Sequence, residues 1–143
     1  MKALRRILLA EDNILDVELT LEALRGHNIV NDIDTVRDGG EALDYLYKRN
    51  NYSERNGGNP AVILLDIKMP KVDGLTVLKT IKSDALLKTI PVVMLTSSRE
   101  EKDLVESYNL GVNAYVVKPV KMNEFINAVK QLGVFWALIN EPL

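Results

Sequence analysis

Cysteine is absent from this 143-residue protein and histidine occurs once, at His27. These absences exclude disulfides, thiolate nucleophiles, Cys-ligated zinc or iron–sulfur centres and His-rich metal sites. Excess positive charge is also lacking, since 18 Lys plus Arg face 20 Asp plus Glu for a net charge of −2. Nothing here supplies a basic footprint for a phosphate backbone, so no nucleic-acid partner is expected. No apolar run approaches the roughly 20 residues of a membrane helix, and the one nearest the N-terminus stops at Glu11-Asp12. A cytoplasmic protein without a membrane partner is expected. The length suits one hydrophobic core, so residues 1–143 are read as a single domain, with a core over about 6–132 and a C-terminal extension over 133–143.

What is present is a regular alternation. Five short runs rich in branched apolar residues fall at 7–10, 33–36, 62–65, 92–95 and 114–117. Most lack polar alternation, as strands covered on both faces do. Helix-period segments lie between them. Ile14, Val17, Leu21 and Leu24 define the first, and Ala42, Leu43, Leu46 and Tyr47 mark the second over 40–48. Others span 74–82 and 100–110, and a fifth runs from 121 past Leu132 with Met122, Phe125, Ile126, Val129, Leu132 and Trp136 on one stripe. Residues 50–59 are rich in Asn and Gly and read as an exposed loop with no core contribution. The expectation is an α/β fold of five (βα) units forming a doubly wound parallel sheet. In such sheets, ligands sit beyond the carboxyl ends of the strands.

The residues at those ends carry chemistry. Glu11 and Asp12 follow the first strand, Asp66 the third, Thr96 with Ser97 and Ser98 the fourth, and Lys118-Pro119 the fifth. Three converging carboxylates repel one another unless a cation neutralises them, and an oxygen-only set suits Mg²⁺. Magnesium that keeps open coordination positions suits phosphoryl chemistry, with Asp66 as the nucleophile, Lys118 pairing with a phosphoryl oxygen and Thr96 donating to another.

Four segments together, Leu9-Ala10-Glu11-Asp12-Asn13, Leu64-Leu65-Asp66-Ile67-Lys68-Met69-Pro70 with Asp73-Gly74, Met94-Leu95-Thr96-Ser97 and Tyr115-Val116-Val117-Lys118-Pro119, resemble the receiver domain of bacterial response regulators of two-component signalling. The resemblance implies a flavodoxin-like sheet of order 2-1-3-4-5. It implies Asp66 as phospho-acceptor, Thr96 and Lys118 as phosphoryl contacts, and Thr96 and Tyr115 as the switch pair. Its metal site would comprise Glu11, Asp12, Asp66 and the backbone carbonyl of Lys68, with Glu11 reaching the metal through water. It also implies a cis Lys118-Pro119 bond, a sensor histidine kinase as phosphoryl donor, and a phosphorelay switch rather than an enzyme acting on external substrates. Segments 38–46, 107–115 and 132–136, with the Asn-rich loop, are similar to stand-alone regulators paired with cyanobacterial phytochromes, which points to a phytochrome-type kinase.

Competing readings meet the same residues. An aspartyl-phosphate phosphatase would place a second Asp two residues past the nucleophile, where Lys68 stands. A flavodoxin-like FMN module would carry Gly, Ser or Thr in its first loop, where Glu11 and Asp12 would repel phosphate. A receiver-like module that dimerises without phosphorylation is the remaining alternative. Phe135, Leu138 and Ile139 lie off the apolar stripe of the last helix. They motivate a homodimer through the extension and the face carrying the fourth helix, fifth strand and fifth helix. His27 is read as a surface residue without a function.

Overall fold

The computed structural model describes residues 5–25, 31–112 and 114–133. Five parallel strands, β1 (Ile7–Ala10), β2 (Ile33–Val36), β3 (Val62–Asp66), β4 (Val92–Thr96) and β5 (Tyr115–Val117), form one sheet of order β2-β1-β3-β4-β5. The expected α/β flavodoxin-like order 2-1-3-4-5 is borne out. Ile7 pairs with both Ile33 and Val62, and Asp66 with Leu95, so the strands end at closely similar heights. β1, β3 and β4 are buried at every position. Continuous apolar runs are what a strand with helices on both faces requires.

Helices α1 (Ile14–Arg25) and α5 (Met122–Gln131) cover one face, where Leu24, Phe125, Ala128 and Val129 pack on Ile7, Leu9, Leu64 and Leu95. Helices α2 (Gly39–Tyr47), α3 (Gly74–Ser83) and α4 (Arg99–Ser107) cover the other, with Leu46, Leu78, Ile81 and Val105 against Leu8, Ile63, Leu65 and Met94. Side chains at Asp38, Asp73 and Ser98 accept hydrogen bonds from Glu41, Thr76 and Glu101 backbone N–H groups, fixing where α2, α3 and α4 start.

The structure corrects several details. Asp66 and Thr96 are the last residues of β3 and β4 rather than the first after them, and Ala114 precedes β5. Ile14 is exposed and Thr20 buried on α1, so the buried face of that helix is not the one the apolar spacing of Ile14 marked. On α2 the core aromatic is Tyr45, not Tyr47. The 50–59 loop does contribute to packing. It opens with a 3-10 turn at Asn50–Tyr52, the Tyr52 ring meets Tyr45 edge-on at 5.3 Å, and the Tyr52 hydroxyl donates to Glu41 Oε1. Asn and Gly spacing alone could not show that one tyrosine anchors the loop. The expectations resting on His27, Phe135, Trp136, Leu138, Ile139 and the C-terminal extension lie outside the described residues. Among the described residues no helix is long and apolar enough to cross a membrane.

Candidate functional site

Three strand ends place the central groups. Glu11 continues the β1 ladder through its N–H to Val36 O, and its side chain is buried at 1% exposure. Asp66 closes β3 at 4% exposure, its Oδ1 accepting from the Ile67 N–H at 2.9 Å. Asp12 is exposed at the rim, yet Glu11, Asp12 and Asp66 each offer a carboxylate oxygen within 4.8 Å of the others. Lys118, just past β5, reaches into this group: its Nζ lies 3.0 Å from Glu11 Oε1, 3.0 Å from Asp16 Oδ2 and 3.3 Å from Asp66 Oδ1. The Lys118-Pro119 peptide is cis.

Electrostatics follow from burial. Glu11 is pushed up to about 7 by loss of solvent and by its hydrogen bond with Asp66, against the opposing pull of Lys118. Burial acts to lower Lys118, but hydrogen bonds to Glu11 and Asp16 and the charge of Asp66 outweigh it, and the ammonium sits above its ordinary range. The site therefore holds more carboxylate than one lysine balances. Its donors are hard oxygens, two of them buried and the third open to solvent, a set that fits a small divalent cation retaining water.

Thr96 is fully buried, and its Oγ1 has no hydrogen-bond partner. β4 register places it one residue beyond the Leu95 that pairs with Asp66. A buried hydroxyl left unpaired costs about 1–3 kcal/mol. Tyr115 stands beside Met94 on the same sheet face as Thr96, two positions before the end of its strand. Its ring is half-buried, its hydroxyl donates to Val112 O at 3.3 Å, and the Lys102 ammonium is 5.5 Å from the ring centre. Lys68 lies in the turn after β3 with its side chain exposed, 3.8 Å from Glu101 Oε2.

Two participants escaped the sequence reading. Asp16, in the first turn of α1, holds Lys118 together with Glu11. No local pattern marked it, because its partner Lys118 lies 102 residues along the chain. Glu101 accepts from both the N–H and the hydroxyl of Ser97, tying the residue after Thr96 to the first turn of α4. The Ser98-x-x-Glu101 spacing of a capping box was its signal.

Known proteins resemble this chain in sequence and in fold. The response regulator receiver domain family matches residues 7–130. Response regulator Rcp1 of Synechocystis sp. (strain ATCC 27184 / PCC 6803 / Kazusa) is 39% identical over 130 residues, covering 91% of this chain and 87% of that protein. Its Mn²⁺-bound crystal structure superposes with a TM-score of 0.73 at 36% identity, covering 97% of this chain and 99% of that one. The structure of the bacteriophytochrome response regulator AtBRR is 61% identical, with a TM-score of 0.94 over 98% of this chain and 100% of that one. The phosphorylated cyanobacterial phytochrome response regulator RcpA gives 43% and 0.74, covering 94% of each protein. The expected likeness to phytochrome-associated regulators is thus borne out. On the family match across most of its length, the chain belongs to the response regulator receiver family of two-component signalling switches.

Proposed function

We propose that this protein is a single-domain switch in which Asp66 accepts a phosphoryl group from a sensor histidine kinase of the phytochrome type. The observation that carries the reading is the orphaned Thr96 hydroxyl at the end of the strand paired with Asp66, a donor without a partner until an anion arrives. An Asp66 carboxylate oxygen attacks phosphorus, an Asp66 O–P bond forms, and the bond from phosphorus to the donor breaks. Lys118 holds one new phosphoryl oxygen through its ammonium, and Thr96 Oγ1 donates to another. Glu11, Asp12, Asp66 and the Lys68 backbone carbonyl would hold Mg²⁺. When bound, that ion supplies positive charge to the phosphoryl oxygens and offsets the carboxylate excess.

Phosphorylation replaces the single negative charge of the Asp66 carboxylate with a phosphoryl group carrying about two, and adds its acceptor oxygens. Thr96 moving inward to meet them opens space on the face it shares with Tyr115, and Tyr115 takes that space; this is the switch. Its outcome is read by association rather than by catalysis on an external substrate. Leu104 on α4, Tyr108 just after it and Val117 on β5 are exposed, and a second copy of the protein is the proposed occupant of that face together with the C-terminal extension. RcpA, a relative of this protein, is known in a phosphorylated form, and Rcp1 in a Mn²⁺-bound one, which supports the chemistry. The alternative, a receiver-like dimer that never takes up phosphate, leaves Thr96 and the acidic cluster without a task.

Intact-mass spectrometry after incubation with Mg²⁺ and a small phospho-donor tests the reading. One Mg²⁺-dependent phosphoryl adduct, lost in Asp66→Asn, is the expected result. Equal phosphorylation of the variant removes Asp66 as acceptor, and no adduct from small donors or a panel of histidine kinases favours the alternative.

A further inference from the structure

The anchored loop after α2 carries a chemically distinct step. Asn56-Gly57 is the one Asn-Gly pair in the sequence, and both residues are exposed. Gly57 has φ +88, and a Cβ built on it would meet nothing within 4 Å. Among the described residues its N–H enters no backbone hydrogen bond, and the Asn56 side group makes none. We propose that Asn56 is a site of spontaneous deamidation, converting a neutral amide on a cleft wall into a carboxylate.

The reaction needs only water and hydroxide. Hydroxide takes the Gly57 amide proton, and the Gly57 nitrogen attacks Asn56 Cγ. A ring N–C bond forms as the Asn56 Cγ–Nδ2 bond breaks and ammonia leaves with a proton from water. Water then adds to either carbonyl of the cyclic imide, forming a C–O bond and breaking a C–N bond, to give aspartate or isoaspartate. A glycine at the attacking position removes the substituent that would crowd the ring, and a solvated loop leaves the nitrogen approachable.

Four other asparagines among the described residues are withheld by sequence or structure. Asn59 precedes Pro60, which has no amide proton to lose. Asn13 precedes a branched residue, Ile14, and its Oδ1 accepts from the Asp16 N–H. Asn123 and Asn127 lie within α5, whose backbone cannot bend toward the side group. The related Asp73-Gly74 pair is likewise held, because Asp73 caps α3 and the Gly74 N–H donates to Ile67 O.

The product has a defined neighbourhood. Asn56 lines a cleft of about 350 Å³ with Arg5, Arg6 and Arg55, and no acidic residue lines that cleft. Arg55 is fixed there by its Nε bond to Tyr45 O, its Nη1 bond to Gly58 O and the Tyr45 ring 4.1 Å away. Arg6 is turned toward Asp34, which its Nε meets at 2.6 Å. A carboxylate at Asn56 enters between this basic cleft and an adjoining one in which Asp34 and Glu54 already face Arg6 and Arg55.

The test is to incubate the folded full-length protein under mildly alkaline conditions and map the peptide covering residues 55–66. The expected result is a gain of about 1 Da on that peptide with aspartate and isoaspartate forms, absent from Asn56→Gln. Conversion runs within about threefold of the rate in an unstructured peptide of the same sequence, since exposed loops impose little protection. It slows at least about tenfold in Gly57→Ala, where the added methyl group meets no neighbour but strains a backbone held at φ +88. An unmodified peptide after the free peptide has converted, or earlier conversion at another asparagine, overturns the proposal.

Discussion

Lys118 and Asp16 are 102 residues apart in sequence, and their charged atoms are 3.0 Å apart. The ammonium is shared among Asp16, Glu11 and Asp66, so one cation offsets the repulsion of a buried pair and a half-buried third. Lys118→Met leaves Glu11 and Asp66 uncompensated and is expected to cost on the order of 3 kcal/mol of stability. Asp16→Asn, at a more exposed carboxylate, costs about 1 kcal/mol or less. Urea unfolding of both variants without divalent cations checks the ranking, and added Mg²⁺ recovers part of the Lys118→Met loss. Equal destabilisation by the two substitutions contradicts the arrangement.

Gly74 opens α3 directly behind the acceptor. A Cβ there would collide with the Asp66 backbone carbonyl oxygen, and the Gly74 N–H donates to Ile67 O at 2.7 Å. Gly74→Ala must therefore push α3 away from the end of β3 or displace Asp66. The expected cost is about 1–3 kcal/mol, with phosphoryl uptake slowed more than Gly57→Ala slows it. Thermal unfolding and uptake measured on both variants separate the two positions.

Asp12 is the solvent-side member of the acidic cluster, and removing its charge is expected to weaken Mg²⁺ binding about tenfold or more, roughly 1.4 kcal/mol. Because Asp12 is exposed, Asp12→Asn leaves the unfolding midpoint of the metal-free protein nearly unchanged. Calorimetric titration with Mg²⁺ checks the first expectation and urea unfolding the second. Unaltered Mg²⁺ affinity would take Asp12 out of the metal site.

Tyr45 sets an alkaline limit. Burial and its hydrogen bond to Asp34 push its phenol up to about 12 from an ordinary value of 10.0. A pKa raised on folding means the unfolded state loses this proton first. The stabilisation is complete below pH 10 and falls as pH rises toward 12, by about 2 kcal/mol. Tyr45→Phe, which cannot ionise, flattens this part of a stability-against-pH curve while lowering stability at neutral pH by the lost bond to Asp34. An equally steep decline in the variant assigns the alkaline loss to other groups.

The order of strands and helices was legible because each strand is a short apolar run covered on both faces and each helix carries its own cap or stripe. Leu64-Leu65-Asp66 announces a buried strand ending in a carboxylate, and the end of such a strand in a doubly wound sheet is where functional groups meet. Locally written features reached that far. Asp16 was not legible, since only the fold brings the first turn of α1 against the residue that follows β5. The loop over 50–59 looked detached because its composition is polar, while Tyr52 anchors it through one ring contact and one hydroxyl.

Apolar patterning placed the strands and helices along the chain, the strand-end motifs supplied the acidic and basic groups for chemistry, and the sheet order came with the family resemblance those motifs carry. Tertiary structure decided which charges share a partner, that Thr96 Oγ1 is buried without one, and that Ile14 faces solvent while Tyr45 does not. Those outcomes depend on distances between segments far apart in sequence. Periodicity and spacing encode which way a residue points along its own element, and only packing of one element on another fixes what it meets.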